Sequence, residues 1–309
     1  MGIETSVLIV LGLGAAVYLV AGLLLFIWKH AIRSASGLDR FKGEWALITG
    51  ASDGIGAAFA KELASNGINV VIMARSMDKL KAVEAECSKR GVSVQVIPFD
   101  FASATDEMYA SLKGQLSDLN ISILVNNVGV NVELPTDFME TSADLADRIV
   151  RVNVNSSIQM TRQFLPPMIA QKKGCILFMS SGGGTDAPGP KLSVYSGTKA
   201  FVDSFAKCIN GELAPHGVTA HSLKAFMVVS AMSKIRRTSL TVPSADAWVR
   251  SALKVVGREA SSTPYWSHEI MGGILGLLPL QMQITYVDKL HADVRRRALL
   301  KREKSKKAT

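Results

Sequence analysis

Trp45-Ala-Leu-Ile-Thr-Gly50-Ala-Ser-Asp-Gly54-Ile-Gly56 is a short apolar run followed by a glycine-rich turn. The run Trp45–Thr49 reads as a buried strand. The turn holds Gly50, Gly54 and Gly56, with Ser52, Asp53 and Ile55 between them, and residues 57–66 read as a helix. Strand, glycine turn and helix start together make a dinucleotide phosphate site. Glycines let the backbone approach a pyrophosphate, and the helix N-terminus offers N–H donors and a favourable dipole. The spacing is Gly-x-x-x-Gly-x-Gly rather than the commoner Gly-x-Gly-x-x-Gly, so its position between strand and helix gives the motif its meaning.

Working outward, Asn69–Ala74 reads as a second strand. An acid at its end would hold a ribose 2′-hydroxyl; Arg75 stands there instead and suits the 2′-phosphate of NADP, the plainer alternative being a loop cap. Val92–Pro98 predicts a third strand leading to Asp100, placed for an adenine amino group. Ile121–Asn126, Cys175–Met179 and Val218–Leu223 predict three more strands. Asp137–Leu165 predicts a long helical region holding Asn153, with Pro166-Pro167 near its end. Alternating strands and helices predict an α/β, Rossmann-like, doubly wound parallel sheet with helices on both faces. Ligands then bind beyond the carboxyl ends of the strands, where these motifs fall.

Tyr195-Ser-Gly-Thr-Lys199 lies in a predicted helix reaching about Leu213. Residues four apart share a helix face, so Tyr195 and Lys199 point into one space. A phenol near pKa ~10 is a poor acid at neutral pH. An ammonium sharing a bound ribose with it would lower that pKa and make it a proton donor to a carbonyl. Alone, the pair also fits a solvated helix face.

Thr5–Trp28 contains no charged residue over 24 positions. At ~1.5 Å per residue that is about 36 Å, enough to cross a bilayer with some tilt. Glu4 before it, and its length, fit an uncleaved anchor better than a signal peptide. Lys29, Arg33, Arg40 and Lys42, with His30, follow it, which places the rest of the chain on the cytosolic side. Cys87, Cys175 and Cys208 have no metal-ligand spacing and read as free thiols in a reducing compartment, and no metal is expected. The net charge of +9 is concentrated at the end, with nine Lys/Arg against two Asp/Glu over Lys289–Thr309. That argues against a nucleic-acid-binding domain and for a basic tail near an anionic membrane. The terminal Lys306-Lys307-Ala308-Thr309 reads as a dilysine-like retrieval signal or as a frayed basic end.

TGASDGIG (49–56), NNVG (126–129), Asn153, Ser181 and YSGTK (195–199), in this order, resemble the short-chain dehydrogenase/reductase family over roughly Lys42–Ile235. The resemblance implies NADPH as cofactor, Tyr195 as proton donor, Lys199 on the nicotinamide ribose, and Ser181 as hydrogen-bond donor to the carbonyl oxygen. It implies that Asn153 holds a water linking Lys199 to solvent, that Asn127 touches the cofactor ribose, and that Val228 and Ser230 meet the nicotinamide end. Ser180 is the rival to Ser181. One departure concerns stiffness: the family's proline after the sixth strand is missing from Lys224-Ala-Phe-Met-Val228-Val-Ser230.

The anchor, NNVG, SAMSKIRRTSL (230–240), TPYW (263–266) and the lysine-rich end resemble the endoplasmic-reticulum very-long-chain 3-oxoacyl-CoA reductases, relatives of 17β-hydroxysteroid dehydrogenases. This implies reduction of a 3-oxoacyl-CoA in microsomal fatty-acid elongation, beside a condensing enzyme, a dehydratase and an enoyl reductase, and by analogy a homodimer. The alternatives are a steroid or other lipid ketone reductase and a silent scaffold in an elongation complex. Lys234, Arg236 and Arg237 read as a coenzyme A phosphate site or as a solvated turn. Ile270–Leu280 is too short to span and reads as membrane-facing, acyl-chain-lining or core. The expected divisions are a membrane anchor and linker (1–42), an NADP-binding reductase core (43–235), a substrate-side segment (236–288) and a basic tail (289–309).

Overall fold

A computed structural model describes residues 2–33 and 36–307. Ala308 and Thr309, which complete the dilysine-like end, lie outside them. Helix α1 (Ile3–Ile27) is followed by a π-helical turn, Trp28–Ile32. Among the described residues one apolar helix is long enough to cross a membrane, and the rest of them leave its apolar window uncovered.

Seven parallel strands form the sheet: β1 (Trp45–Thr49), β2 (Asn69–Ala74), β3 (Val94–Pro98), β4 (Ile121–Asn126), β5 (Gly174–Ser181), β6 (Val218–Ala225) and β7 (Ser261–Ser262). Their order is β3-β2-β1-β4-β5-β6-β7. Strand order reverses between β1 and β4, which opens a crevice at their carboxyl ends. Ile48 pairs with Ile72 on one side and Val125 on the other. The strands are apolar on both faces because side chains alternate. Ala46, Ile48, Val70, Ile72, Ile123 and Val125 pack into one core. Leu47, Val71, Met73, Leu124, Ile176 and Phe178 pack into the other.

Helices α2 (Gly54–Ser65) and α3 (Met77–Ser88) cover the first face; α4 (Asp106–Gln115), α6 (Ser156–Ala170) and α8 (Ser193–Leu213) belong to the second, and α5 (Ala143–Val150) packs against α8. The one-turn segment α7 (Gly182–Thr185) links β5 to the loop before α8. α9 (Ala245–Leu253) returns to the first face, where Trp248, fully buried, meets the Phe59 ring edge-on at 6.4 Å. Part of the expected substrate-side segment is therefore core. α10 (Trp266–Leu277) and α11 (Leu280–Lys307) complete the chain, and α11 runs unbroken across the expected boundary at 288/289. Arg295 on α11 donates to Glu140 at 2.6 Å and Lys191 to Asp288 at 2.8 Å, so this basic helix folds back along the core.

Three expectations need correction. The long helical region begins at Ser142 rather than Asp137: Ser142 starts α5 by accepting from Leu145 N at 3.3 Å, and a π-helical turn, Arg151–Asn155, joins α5 to α6. Pro166 and Pro167 do not end α6 but lie inside it on its exposed side. Ser181 is the last residue of β5, paired in register with Ala225, not a residue beyond the strand.

Candidate active site

Asn127, just past β4, binds the glycine turn. Its Nδ2 donates to Thr49 O at 2.9 Å and Gly50 O at 3.2 Å. Thr49 Oγ1 donates to Val125 O at 3.1 Å and accepts from the N–H groups of Asn127 and Val128, both at 3.0 Å. β1 and β4 are thereby tied together at the switch point. Thr49 carried no role in the sequence reading; its signal was a buried hydroxyl at a strand end, directly before a glycine.

The glycines are required by close approach. Gly50 has φ +67°, and a Cβ there would lie 2.9 Å from Val128 Cα. A Cβ on Gly56 would lie 2.2 Å from Gly50 O. Gly54 has φ +55° and approaches Ser230, whose Cβ would be 2.9 Å from an added Cβ. Asp53, the residue before α2, makes no side-chain cap. The first N–H groups of α2, from Gly54, Ile55 and Gly56, are thus available to an anion. Ser52 is part-buried in the same turn. Arg75 is exposed at the end of β2. Asp100 Oδ1 accepts from Ala102 N at 3.1 Å. This cradle, an uncapped helix start and a free guanidinium one strand away, fits a phosphorylated dinucleotide.

The loop lacking the expected proline is held by other means. Phe226 N donates to His268 Nδ1 at 3.4 Å, and Val229 N to Pro243 O at 3.0 Å. Ser233 Oγ donates to Val228 O at 2.6 Å, and Ser233 N to Ser230 Oγ at 3.2 Å. Buried His268 also faces Thr241 O from Nε2 at 3.2 Å, so Nε2 carries the proton and Nδ1 accepts. His268 went unread because its partners are distant in sequence. Lys234 donates to Glu133 O at 3.1 Å, while Arg236 and Arg237 are exposed.

Tyr195, Ser181, Lys199 and Asn153 converge. The Ser181 hydroxyl lies near enough to the Tyr195 phenol to act on its ionisation. Ser180 Oγ instead donates to Lys199 O at 2.7 Å and is buried, which leaves Ser181 as the hydroxyl beside the phenol. Lys199 Nζ donates to Met179 O at 2.7 Å and lies 5.7 Å from the centre of the Tyr195 ring. Asn153, on the π-helical turn, accepts from Val130 N at 2.8 Å and donates to Val130 O and Thr198 Oγ1, each at 3.0 Å. A Cβ on Gly129 would stand 3.4 Å from Asn153 Oδ1 and 3.6 Å from Lys199 Nζ, so both groups face one spot. A small cleft lined by Val132, Thr136, Phe138, Leu192 and Tyr195 opens beside the phenol.

Burial pushes the Tyr195 phenol above its ordinary value, and the nearby Ser181 hydroxyl pulls the other way. The depression expected from Lys199 works through a shared ribose and is separate from this balance. At neutral pH Tyr195 holds its proton, as a donor must. Burial lowers Lys199 to about 8. Lys199 is therefore charged below that pH and neutral above it. For carbonyl reduction, kcat/KM should be level near neutrality and fall as pH rises through about 8. A pH profile measured with saturating cofactor checks this; a level line to pH ~10, near an unperturbed lysine, would show that Lys199 keeps its charge.

The sequence profile described as short chain dehydrogenase matches residues 44–240. A protein of Aspergillus terreus, "Very-long-chain 3-oxoacyl-CoA reductase", is 40% identical over 87% of this chain and 80% of its own length. One of the same name from Coprinopsis cinerea is 37% identical over 98% of this chain and 94% of its own. Among solved structures, "Short-chain dehydrogenase from Sphingobium yanoikuyae in complex with NADPH" is 28% identical with TM-score 0.62, over 69% of this chain and 84% of that one.

Proposed function

We propose that this chain, which belongs to the short-chain dehydrogenase family and is thus an oxidoreductase working between a carbonyl and an alcohol, reduces 3-oxoacyl-CoA to 3-hydroxyacyl-CoA with NADPH. The observation that carries the chemistry is the convergence of Ser181, Tyr195 and buried Lys199, whose Nζ lies 5.7 Å from the centre of the Tyr195 ring. The substrate class rests on the names of the two fungal relatives, which align with most of the chain.

The residues of the chain divide the work. Gly50, Gly54, Gly56 and the start of α2 hold the pyrophosphate, Asn127 keeps that turn in shape, and Lys199 holds the nicotinamide ribose. The nicotinamide, when bound, supplies hydride to the ketone carbon. Ser181 donates a hydrogen bond to the ketone oxygen as charge develops there. Tyr195 gives its proton to the same oxygen. Val228 and Ser230 close the nicotinamide end, and Asn153 positions the Val130 backbone and Thr198 behind Lys199.

Arg75 makes the cofactor NADPH rather than NADH. Replacing Arg75 by Ala removes a charge-assisted contact of about 1.5–3 kcal/mol, so kcat/KM for NADPH should fall roughly 10–100-fold while that for NADH holds. Equal wild-type rates with both cofactors would refute the role of Arg75.

The uncovered α1 and the cations that follow it support a membrane protein with a cytosolic catalytic domain, and the family resemblance favours the endoplasmic reticulum. A 3-oxo thioester is what a condensing step supplies, and a 3-hydroxy thioester is what a dehydratase consumes, so the chain would work beside such enzymes in elongation. Steady-state rates with a long 3-oxoacyl-CoA and with a steroid ketone, measured in parallel, test the substrate. The thioester should be preferred; preference for the steroid would favour the alternative reading.

A further inference from the structure

The apolar stretch of α1 ends at Trp28, and Lys29, His30 and Arg33 follow at once. Juxtamembrane cations commonly face anionic headgroups. These three bind carboxylates more than two hundred residues away instead. Lys29 Nζ donates to Glu269 Oε1 at 2.8 Å and lies 3.4 Å from Glu259 Oε2. His30 Nε2 lies 2.5 Å from Glu269 Oε2. Arg33 Nη1 donates to Glu259 Oε1 at 2.6 Å, and its guanidinium sits 5.4 Å from the Trp28 ring centre. The Arg33 side chain is only 2% exposed, so this is a packed joint rather than a loose surface pair.

Glu269 stands in the first turn of α10. Ile270, Ile274 and Leu277 follow at i+1, i+5 and i+8, on one face of that helix. They are 42%, 58% and 85% exposed, and Leu280 at the start of α11 is 62% exposed. The opposite face packs on the active-site loops: His268 is buried, and a Cβ on Gly272 would meet Asp186 Oδ2 at 2.9 Å and the Phe226 ring at 3.6 Å. One helix thus has the loop after Ser181 on one side and a bare apolar stripe on the other. Its first turn is fixed where α1 leaves its apolar stretch.

We propose that the phospholipid leaflet covers this stripe, and that the cluster of Lys29, His30 and Arg33 with Glu259 and Glu269 is a latch holding α10 in the membrane surface. The proposal rests on α1 being membrane-embedded. Lipid is favoured as the occupant because the stripe begins beside the end of an apolar helix that is itself uncovered. The exposed Lys289 and Arg297 of the following helix suit an anionic surface. The latch sets the catalytic domain at one tilt, with only α10 between the acyl region of the leaflet and the loop after Ser181.

The test uses the full chain with Cys208 replaced by Ser, which leaves only the buried Cys87 and Cys175. Single reporter cysteines, I274C or V17C, carry a fluorophore, and Cys208 of the parent chain serves as the aqueous control. Each protein is reconstituted in phosphatidylcholine–phosphatidylserine vesicles containing doxyl-labelled lipid. Labels at 274 and 17 should each lose about half of their emission or more, and the label at Cys208 little, as for a helix lying in the interface. In the Glu259→Gln, Glu269→Gln double variant, quenching at 274 should drop several-fold while that at 17 persists, with NADPH binding showing that the domain is folded. Quenching at 17 without quenching at 274 overturns the proposal and leaves the anchor intact. Quenching at neither site overturns both. Quenching at 274 unchanged in the folded double variant overturns the latch.

Discussion

Replacing Tyr195 by Phe should lower kcat for ketone reduction by roughly 10²–10⁴-fold, the range for losing a positioned general acid. The change removes one oxygen from a part-buried ring and leaves the ring in place. Cofactor affinity, read by NADPH fluorescence, should stay within about twofold, because the glycine cradle and Lys199 are untouched and a surviving site keeps its own binding energy. Ser181→Ala should cost less, since it removes a hydrogen bond and not the transferred proton. Full activity in Tyr195→Phe would move the acid elsewhere and revive the silent-scaffold alternative.

The second large effect is expected at Gly56. A methyl group there would sit 2.2 Å from Gly50 O and 2.5 Å from Asn127 Nδ2. Neither neighbour is the loose end of a flexible chain: one is backbone, and the other is held by two hydrogen bonds. Overpacking of this kind costs about 1–3 kcal/mol, and α2 must move away from the turn to relieve it. Gly56→Ala should therefore weaken NADPH binding by roughly 5–100-fold, with a lower melting temperature. Thr49→Val should act in the same direction through the same joint. Cofactor titration of purified Gly56→Ala checks this, and an unchanged Kd would show that the turn adapts.

Much of the fold could be read because its strands are buried on both faces. Runs such as Asn69–Ala74 and Ile121–Asn126 need no alternation and stand out between turns. The boundary errors share a cause. β7 has two residues and exists through its partners, including Ser261 donating to Asp203 at 2.8 Å. Trp248 falls within the expected substrate-side segment because its partner Phe59 lies far away in the sequence. Pro166 and Pro167 mislead because local propensity says stop while packing of Phe164 and Met168 carries α6 onward.

The site was legible where a backbone demand selects a residue type, as at Gly50, Gly54 and Gly56, or where helical spacing pairs two groups, as at Tyr195 and Lys199. The choice between Ser180 and Ser181 required knowing that Ser180 points at the Lys199 carbonyl. The sign of the Tyr195 shift needed burial, which sequence does not display. The joint of Lys29 with Glu269 has no local signal at all, for it pairs groups 240 residues apart.

The most direct measurement follows NADPH consumption and product formation by the full-length wild-type protein in vesicles supplied with a long-chain 3-oxoacyl-CoA, with Tyr195→Phe alongside. The predicted result is one 3-hydroxyacyl-CoA formed for each NADPH oxidised by the wild type, and almost none by the variant. No turnover of the thioester, or equal turnover by both proteins, would contradict the account.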